Sequence, residues 1–249
     1  MTTTLGQNSG EGGVEELKVP CPILREMLET GEVREAGEGG GRRPLKGNIN
    51  VGNCNALYET VRKLRPHRVI EVGMAYGAST LAILAGLRES GSEGVLTSID
   101  PNQNTDWRGI GLANVERGGH QHRHRVIAKP SYLALPELLQ GGETCDLGYI
   151  DGWHTFDYAL IDFFYLDKMC PVGGVIGFND CGWRAVHKVT KFVESHRRYV
   201  ELDVGLRGGY RGRNVVSTIV RFLEGRRGID RYFEKAEAGE PDWNFFARF

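Results

Sequence analysis

Acidic side chains beside glycines are the residues of this sequence best suited to binding a charged ligand. Glu71 stands two residues before Gly73 in the segment EVGMAYGAST, and Asp100 ends the later run VLTSID. Glycines let the backbone approach a ligand closely, and a carboxylate beside them suits a cation better than a pyrophosphate. The segment fails the dinucleotide fingerprint G-x-G-x-x-G, because Ala75 replaces the second glycine and the third is displaced. The pattern therefore predicts a site for a cationic cofactor, with a ligand-free strand-helix turn as the alternative.

Asp100 is placed to bind the sugar of such a cofactor. It follows the glycine segment by about 20 to 30 residues, the separation at which an acid accepts hydrogen bonds from ribose hydroxyls. The alternative is an acid that only caps the turn starting at Pro101. Two acids at consecutive strand ends around one glycine segment indicate a ligand site more strongly than either acid alone.

A second polar group follows two later apolar runs, YI and GGVIGF. Asp151, Asn179 and Asp180 carry oxygens that can share one hard divalent ion such as Mg²⁺. His154 titrates near neutral pH and follows Asp151 in a D-x-x-H spacing, so these two are the candidate catalytic residues, with His154 as the base. The alternatives are a capping or packing role for His154, and acids that contact only the cofactor and helix ends.

The elements that must position these residues alternate between strand and helix. We predict strands at 68–72, 95–99, 125–128, 147–150 and 175–178, and helices at 78–87, 109–117, 132–140, 156–169 and 183–195. Such alternation requires right-handed crossovers and a mainly parallel sheet covered on both faces. Ligands of these sheets bind at the carboxyl ends of the strands, where all the acids named above lie. The sequence therefore predicts a doubly wound α/β fold.

The two ends of the chain depart from this alternation. Runs at 199–204 and 215–222 predict a hairpin, which places an antiparallel last strand on a seven-stranded, mainly parallel sheet. We expect residues 1–45 to be a mobile extension with a short helix at 22–30. Residues 46–223 are the predicted main domain, and residues 224–249 an aromatic tail docked on the body or on a partner subunit.

The segments EVGMAYGAST, SIDPNQ, YIDGWHTFDYALIDFF and GGVIGFND resemble the successive motifs of class I S-adenosylmethionine-dependent methyltransferases, over about residues 50–222. The later segments resemble the small-molecule group related to metal-dependent sugar O-methyltransferases, which carry a base at the position of His154. The resemblance implies a Rossmann-like fold with S-adenosylmethionine bound at the strand ends. The residues that it implies around the cofactor are Glu71, Gly73, Gly77, Ser79, Asp100, Ser131 and Asp151.

Two positions depart from the family pattern. Ala75 stands where a glycine is usual, and its extra methyl group shifts the loop without excluding the cofactor. Asn179 stands where relatives that bind metal firmly have a second acid. A neutral amide supplies an oxygen but removes one charge, which weakens divalent binding.

Together these features predict an enzyme that transfers a methyl group to a small-molecule acceptor, most readily a hydroxyl. The reaction is an in-line displacement on S-adenosylmethionine, with His154 as base and Mg²⁺ as a second cofactor. N-methylation, NAD-dependent oxidoreduction and a cofactor-binding module without turnover remain open. Glu71 and Ala75 count against the oxidoreductase, and Asn179 is the one feature in favour of the module.

The composition indicates which partners and which cellular compartment to expect. Lys and Arg number 31 against 32 Asp and Glu, so no overall charge attracts nucleic acid or an anionic membrane. Five cysteines in no metal-binding spacing argue against a disulfide framework. No apolar run reaches the roughly 20 residues that span a bilayer. We therefore expect a cytoplasmic protein without nucleic-acid or membrane partners, and the apolar tail favours a homodimer.

Overall fold

A central β-sheet organises the computed structural model, which describes residues 15–37, 40–206 and 229–249. The strands in chain order are β1 (Glu32–Arg34), β2 (Arg42–Pro44), β3 (Arg68–Val72), β4 (Val95–Ile99), β5 (His124–Ile127), β6 (Leu147–Ile150), β7 (Val175–Phe178), β8 (Tyr199–Leu202) and β9 (Arg231–Lys235). The helices are α1 (Pro22–Thr30), α2 (Val51–Leu64), α3 (Ala78–Glu89), α4 (Ile110–Arg117), α5 (Ser131–Gln140), α6 (Phe156–Met169) and α7 (Arg184–His196).

Within the described residues, seven strands form the main sheet in the order β5-β4-β3-β6-β7-β9-β8. The first five are parallel, and β9 pairs antiparallel with both β7 and β8. The chain runs outward from β3 to β5 and then returns to β6 on the other side of β3. Ligands of doubly wound folds bind where the strand order reverses in this way.

Two apolar clusters cover the faces of the sheet. One contains side chains of α1 to α4, among them Leu24, Leu57 and Leu81, and the other contains side chains of α5 to α7, among them Leu135 and Phe163. The strands between them are short and buried, as expected for a parallel sheet with helices on both faces. The predicted α/β fold, with its mainly parallel seven-stranded sheet and antiparallel end, is confirmed.

The last strand of the chain, β9, differs from the prediction and lies between β7 and the edge strand β8. Residues 215–222 lie outside the described residues, and β9 comes from the segment that we expect to be a tail. The sequence does not predict this strand, because Arg231 and Lys235 place charges at both ends of a five-residue run and such a run does not indicate a buried strand. In the structure Arg231 pairs with Glu194 and Glu201, and Lys235 pairs with Asp167.

Residues 17–33 pack on the core, whereas the sequence predicts a mobile extension over residues 1–45. Helix α1 has the predicted bounds, and Leu17, Val19, Leu24 and Val33 are buried in the core. The rest of the C-terminal segment lies on α7, where Phe245, Phe246 and Phe249 contact the His196 ring. No helix of the described part of the chain is long and apolar enough to span a membrane.

Candidate active site

A cavity of about 750 Å³ opens at the carboxyl ends of β3, β4, β6 and β7. This volume is within the range of pockets that enclose a small ligand. The strands end level with one another, because Gly73 N–H donates to Ile99 O and Asp151 N–H donates to Val72 O. The predicted site residues that line the cavity are Gly73, Asp100, Ser131, Asp151, His154, Asn179 and Asp180.

The loop after β3 forms one wall of the cavity and has a strained backbone. Gly73 has φ +89, and a side chain there would lie 2.1 Å from the Asp151 carbonyl oxygen. Ala75 has φ 46, in the left-handed region that non-glycine residues rarely adopt. The loop therefore keeps the usual left-handed turn at the position where Ala75 replaces glycine.

Asp100 holds this loop in place. Its Oδ2 accepts hydrogen bonds from Met74 N at 3.1 Å and Ala75 N at 2.8 Å, and its Oδ1 accepts from Asn102 N at 2.8 Å. Gln103, a residue that sequence reasoning missed, donates its Nε2 to Asp100 Oδ2 and to Ala75 O. Oδ2 thus has three donors, and Oδ1 is the oxygen with capacity left for a ligand hydroxyl.

Three of the predicted cofactor residues do not line the cavity in the structure. Glu71 is fully buried behind the loop, where its Oε2 accepts hydrogen bonds from Thr80 and Ser98. Burial raises the pKa of the Glu71 carboxyl to about 7, against the effect of these hydroxyls. Gly77, at φ 87, precedes α3, and Ser79 lies beside Glu71. Glu71 takes this position because adjacent strand residues alternate between faces, and Val72 is the one that faces the cavity.

His154 lies between two carboxylates at the other wall. Its Nε2 is 3.5 Å from Asp151 Oδ1 and 3.5 Å from Asp180 Oδ2. Its ring stacks on Trp183 with centroids 6.0 Å apart, which fixes the plane of the imidazole. Burial alone lowers the pKa of His154, but the Asp151 and Asp180 carboxylates outweigh burial and raise it above its ordinary value.

Both carboxylates beside His154 have a raised pKa. Burial raises the pKa of Asp151 to about 6, although His154 opposes the shift. Burial also raises the pKa of Asp180, again against His154. Asp180 has φ 53, so the turn after β7 holds this carboxylate in the left-handed conformation. Strained residues of this kind concentrate at functional sites.

The three residues predicted to bind Mg²⁺ all line this part of the cavity. The His154 imidazole lies beside two of them, with Nε2 3.5 Å from an oxygen of Asp151 and 3.5 Å from an oxygen of Asp180. In the described part of the chain, no group of three or more His, Cys, Asp or Glu side chains is arranged to hold a metal ion. Asn179, the third predicted ligand, donates its Nδ2 to Asp230 at 2.8 Å.

Comparisons with known proteins agree with this architecture. Residues 70–181 match the family model described as a methyltransferase domain. No curated protein matches the sequence. The structure is similar to the O-methyltransferase from Bacillus cereus in complex with SAH, with a TM-score of 0.61 and 15% identity over 86% of this chain and 90% of that chain.

Two further solved structures are similar at low identity. Cofactor-bound Rv0187 from MTB has a TM-score of 0.61 and 16% identity, over 86% of this chain and 88% of that one. The O-methyltransferase TomG from Streptomyces achromogenes, involved in tomaymycin synthesis and in complex with SAM, has a TM-score of 0.55 and 16% identity, over 76% and 82%. At these identities the likeness shows the shared fold. The methyltransferase-domain match over residues 70–181 and the shared fold both agree with the resemblance to class I S-adenosylmethionine-dependent methyltransferases.

Proposed function

We propose that the protein transfers a methyl group from S-adenosylmethionine to a hydroxyl of a small molecule. The observation that carries the proposal is the position of His154, whose Nε2 faces two carboxylates 3.5 Å away on the wall of the cavity. Methyl transfer to a hydroxyl needs a group that removes the hydroxyl proton, and an imidazole is the common choice near neutral pH. The TomG relative is, by its name, an O-methyltransferase of tomaymycin synthesis, which favours a small acceptor.

The residues around the cavity fit a cationic nucleoside cofactor. Asp100, Asp151 and Asp180 place three carboxyl groups on its walls, which suits a ligand with ammonium and sulfonium charges. Asp100 Oδ1 keeps acceptor capacity for a ribose hydroxyl, because Asn102 N is its one donor among the described residues. Ile99 and Val72 supply apolar surface beside them. Gly73, Asp100 and Ser131 would therefore hold the cofactor against β3, β4 and the start of α5.

The chemistry divides between the cofactor and the chain. S-adenosylmethionine, when bound, supplies a methyl group on a sulfonium, so the acceptor oxygen forms the new bond to carbon as the carbon–sulfur bond breaks and S-adenosylhomocysteine leaves. The His154 imidazole takes the hydroxyl proton. Asp151 and Asp180 stabilise the imidazolium that results, because opposite charges within about 4 to 6 Å favour the charged form. Trp153 and Trp183 line the cavity beside His154.

We propose that the reaction proceeds without a metal ion. His154 Nε2 is 3.5 Å from Asp151 Oδ1 and 3.5 Å from Asp180 Oδ2, so the imidazolium can supply the positive charge beside these acids. We expect methyl transfer by protein treated with EDTA to equal that of untreated protein. Activity that EDTA abolishes and Mg²⁺ or Mn²⁺ restores would contradict this arrangement and support the metal site predicted from the sequence.

The deciding experiment is calorimetric titration of the protein with S-adenosylmethionine and, separately, with NAD. We expect saturable binding of S-adenosylmethionine, weakened about tenfold by Asp100→Ala, since a hydrogen bond to a charged group contributes about 1.5 kcal/mol. Asp106→Ala is the matched control, because Asp106 is an exposed acid of the same turn that does not line the cavity. Binding of NAD alone would overturn the proposal in favour of an oxidoreductase.

A further inference from the structure

A buried carboxylate that the proposed reaction does not use lies directly behind Asn179. Asp230 is 3% exposed and precedes β9. Its Oδ1 accepts hydrogen bonds from Asn53 Nδ2 at 2.7 Å and from Asn179 Nδ2 at 2.8 Å. Its Oδ2 accepts from the hydroxyls of Tyr149 at 2.7 Å and Tyr232 at 3.2 Å. Four donors on two oxygens satisfy a carboxylate fully, so this is a built polar cluster and not an isolated buried acid.

The carboxylate determines how the Asn179 amide is turned. Asp230 Oδ1 accepts a hydrogen bond from the amide nitrogen of Asn179, so the nitrogen faces Asp230 and the amide oxygen faces away. Asn179 is 5% exposed, and it lines the cavity. Its side-chain oxygen has no hydrogen-bond partner among the described residues and is not sealed from solvent. The oxygen is therefore available to a ligand in the cavity.

We propose that Asp230 is a positioning residue that fixes Asn179 with its amide oxygen toward the cavity. Together with Asp151 and Asp180, this wall then presents acceptor oxygens, which bind a ligand that donates hydrogen bonds. On the proposed function, that ligand is the hydroxyl-bearing methyl acceptor. Were the amide turned over, its N–H groups would instead face the donors of that ligand.

The cluster also accounts for the amide at position 179. An aspartate there would place its carboxylate about 2.8 Å from that of Asp230, and two such groups cannot both ionise at this distance.

The sheet is shaped to accommodate this cluster. Tyr149 on β6 and Tyr232 on β9 stack on either side of β7, with ring centroids 6.3 Å apart. A side chain at Gly177 of β7 would lie 2.7 Å from Tyr232 Cε1 and 3.1 Å from Tyr149 Cδ2. Glycine at 177 therefore makes room for both phenols that donate to Asp230.

A charge exchange tests the proposal without any cofactor. We expect Asn179→Asp to lower the Tm by roughly 10 °C, since a buried charge without a donor is strongly destabilising. The double variant Asn179→Asp/Asp230→Asn has the net charge of the wild type and restores a donor between the two positions, so it should recover most of the loss. Asn48→Asp is the control, because Asn48 also lines the cavity but its amide donates to a backbone carbonyl. A single variant as stable as the wild type, or a double variant no more stable than the single one, would overturn the proposal.

Hydrogen exchange of the side-chain amides reads the orientation directly. The NH₂ signals of Asn179 are assigned as those that disappear from the ¹⁵N–¹H NMR spectrum of Asn179→Asp. We expect the Asn179 amide protons to exchange at least about tenfold more slowly than those of Asn48. Asp230→Ala should remove this protection. Equal exchange of Asn179 and Asn48 in the wild type would overturn the proposal, even in a protein that binds S-adenosylmethionine as expected. Conversely, failure to bind that cofactor would leave the orientation result intact.

Discussion

Replacing the His154 imidazole removes the group that accepts the proton in the proposed reaction. We expect His154→Gln to lower kcat by about 10² to 10⁴, the usual contribution of a general base. Binding of S-adenosylmethionine should be unchanged in a titration, because His154 contacts the acids of the opposite wall and not the β4 end. His122→Gln, a change of an exposed histidine, is the control and should retain full activity. Full activity of His154→Gln would mean that His154 has only a packing role. A wild-type protein that binds the cofactor but transfers no methyl group would be a binding module.

The two carboxylates beside His154 predict the direction of the pH dependence. They raise the pKa of His154 above its ordinary value, and the base acts when it is neutral. A profile of kcat/KM should therefore rise with pH through a midpoint above 6.5, the unperturbed value. Asp180→Asn removes one charge that stabilises the imidazolium, so the midpoint should fall. A midpoint that stays or rises in this variant would contradict the role assigned to Asp180.

Ala75 has a backbone conformation that costs energy for any residue with a side chain. At φ 46 an alanine is less stable than glycine by about 1 kcal/mol, partly offset by the greater freedom of glycine in the unfolded chain. We expect Ala75→Gly to leave the free energy of unfolding unchanged or raise it by up to about 1 kcal/mol. Ala113→Gly in α4 is the matched control and should lower it by about 1 kcal/mol. Equal losses in both variants, measured by urea denaturation, would show that Ala75 is unstrained.

The close packing around Gly177 makes the middle of β7 sensitive to a single methyl group. Gly177→Ala forces the Tyr149 and Tyr232 rings apart, and overpacking of this kind costs about 1 to 3 kcal/mol. Gly148→Ala on the neighbouring strand β6 is the control, because its new methyl group would lie 3.1 Å from the end of the flexible Leu166 side chain. Denaturant titration should show the larger loss for Gly177→Ala. A smaller loss there than at Gly148 would mean that the tyrosines move freely.

The strands and helices that the sequence predicts are those with regular apolar patterns. Strands at 68–72, 95–99 and 147–150 have their predicted bounds, because each is a short buried run between turns. Strand β9 follows no such pattern, since its charges are neutralised by residues distant in the chain. A pairing of this kind depends on the folded structure, and periodicity does not reveal it.

The same contrast holds in the site. Asp151, His154 and Asp180 could be grouped in advance, because parallel strands end at one edge of the sheet. Gln103 and Asp230 could not, since each acts through a hydrogen bond to another residue and belongs to no motif. The motif around Glu71 predicts a cofactor contact, whereas in the structure its hydroxyl partners hold this side chain behind the loop. Side-chain direction within a strand decides such cases.

Buried carboxyl groups make the stability of the whole protein depend on pH near neutrality. Burial raises the pKa of Glu71 and that of Asp162 to about 7, well above their values in an unfolded chain. Between about pH 4.5 and 8 the unfolded chain therefore binds fewer protons than the folded one, so stability falls as the pH rises. His124 and His187 act in the opposite sense, because burial lowers their pKa to about 4, but their effect ends near pH 6.5.

Above pH 6.5 the groups with a raised pKa all lower the stability as the pH rises, and these are Glu71, Asp162, Asp230 and His154. We expect the free energy of unfolding to fall by on the order of 1 kcal/mol or more from pH 6.5 to 8, measured by urea denaturation at several pH values. Asp162→Asn removes one of these groups at a position where neither carboxyl oxygen has a hydrogen-bond partner among the described residues. Its slope should be shallower than that of the wild type, whereas Asp106→Asn at an exposed position should leave the slope unchanged. A wild-type stability that rises over this interval would mean that Glu71 and Asp162 are ionised inside the folded protein.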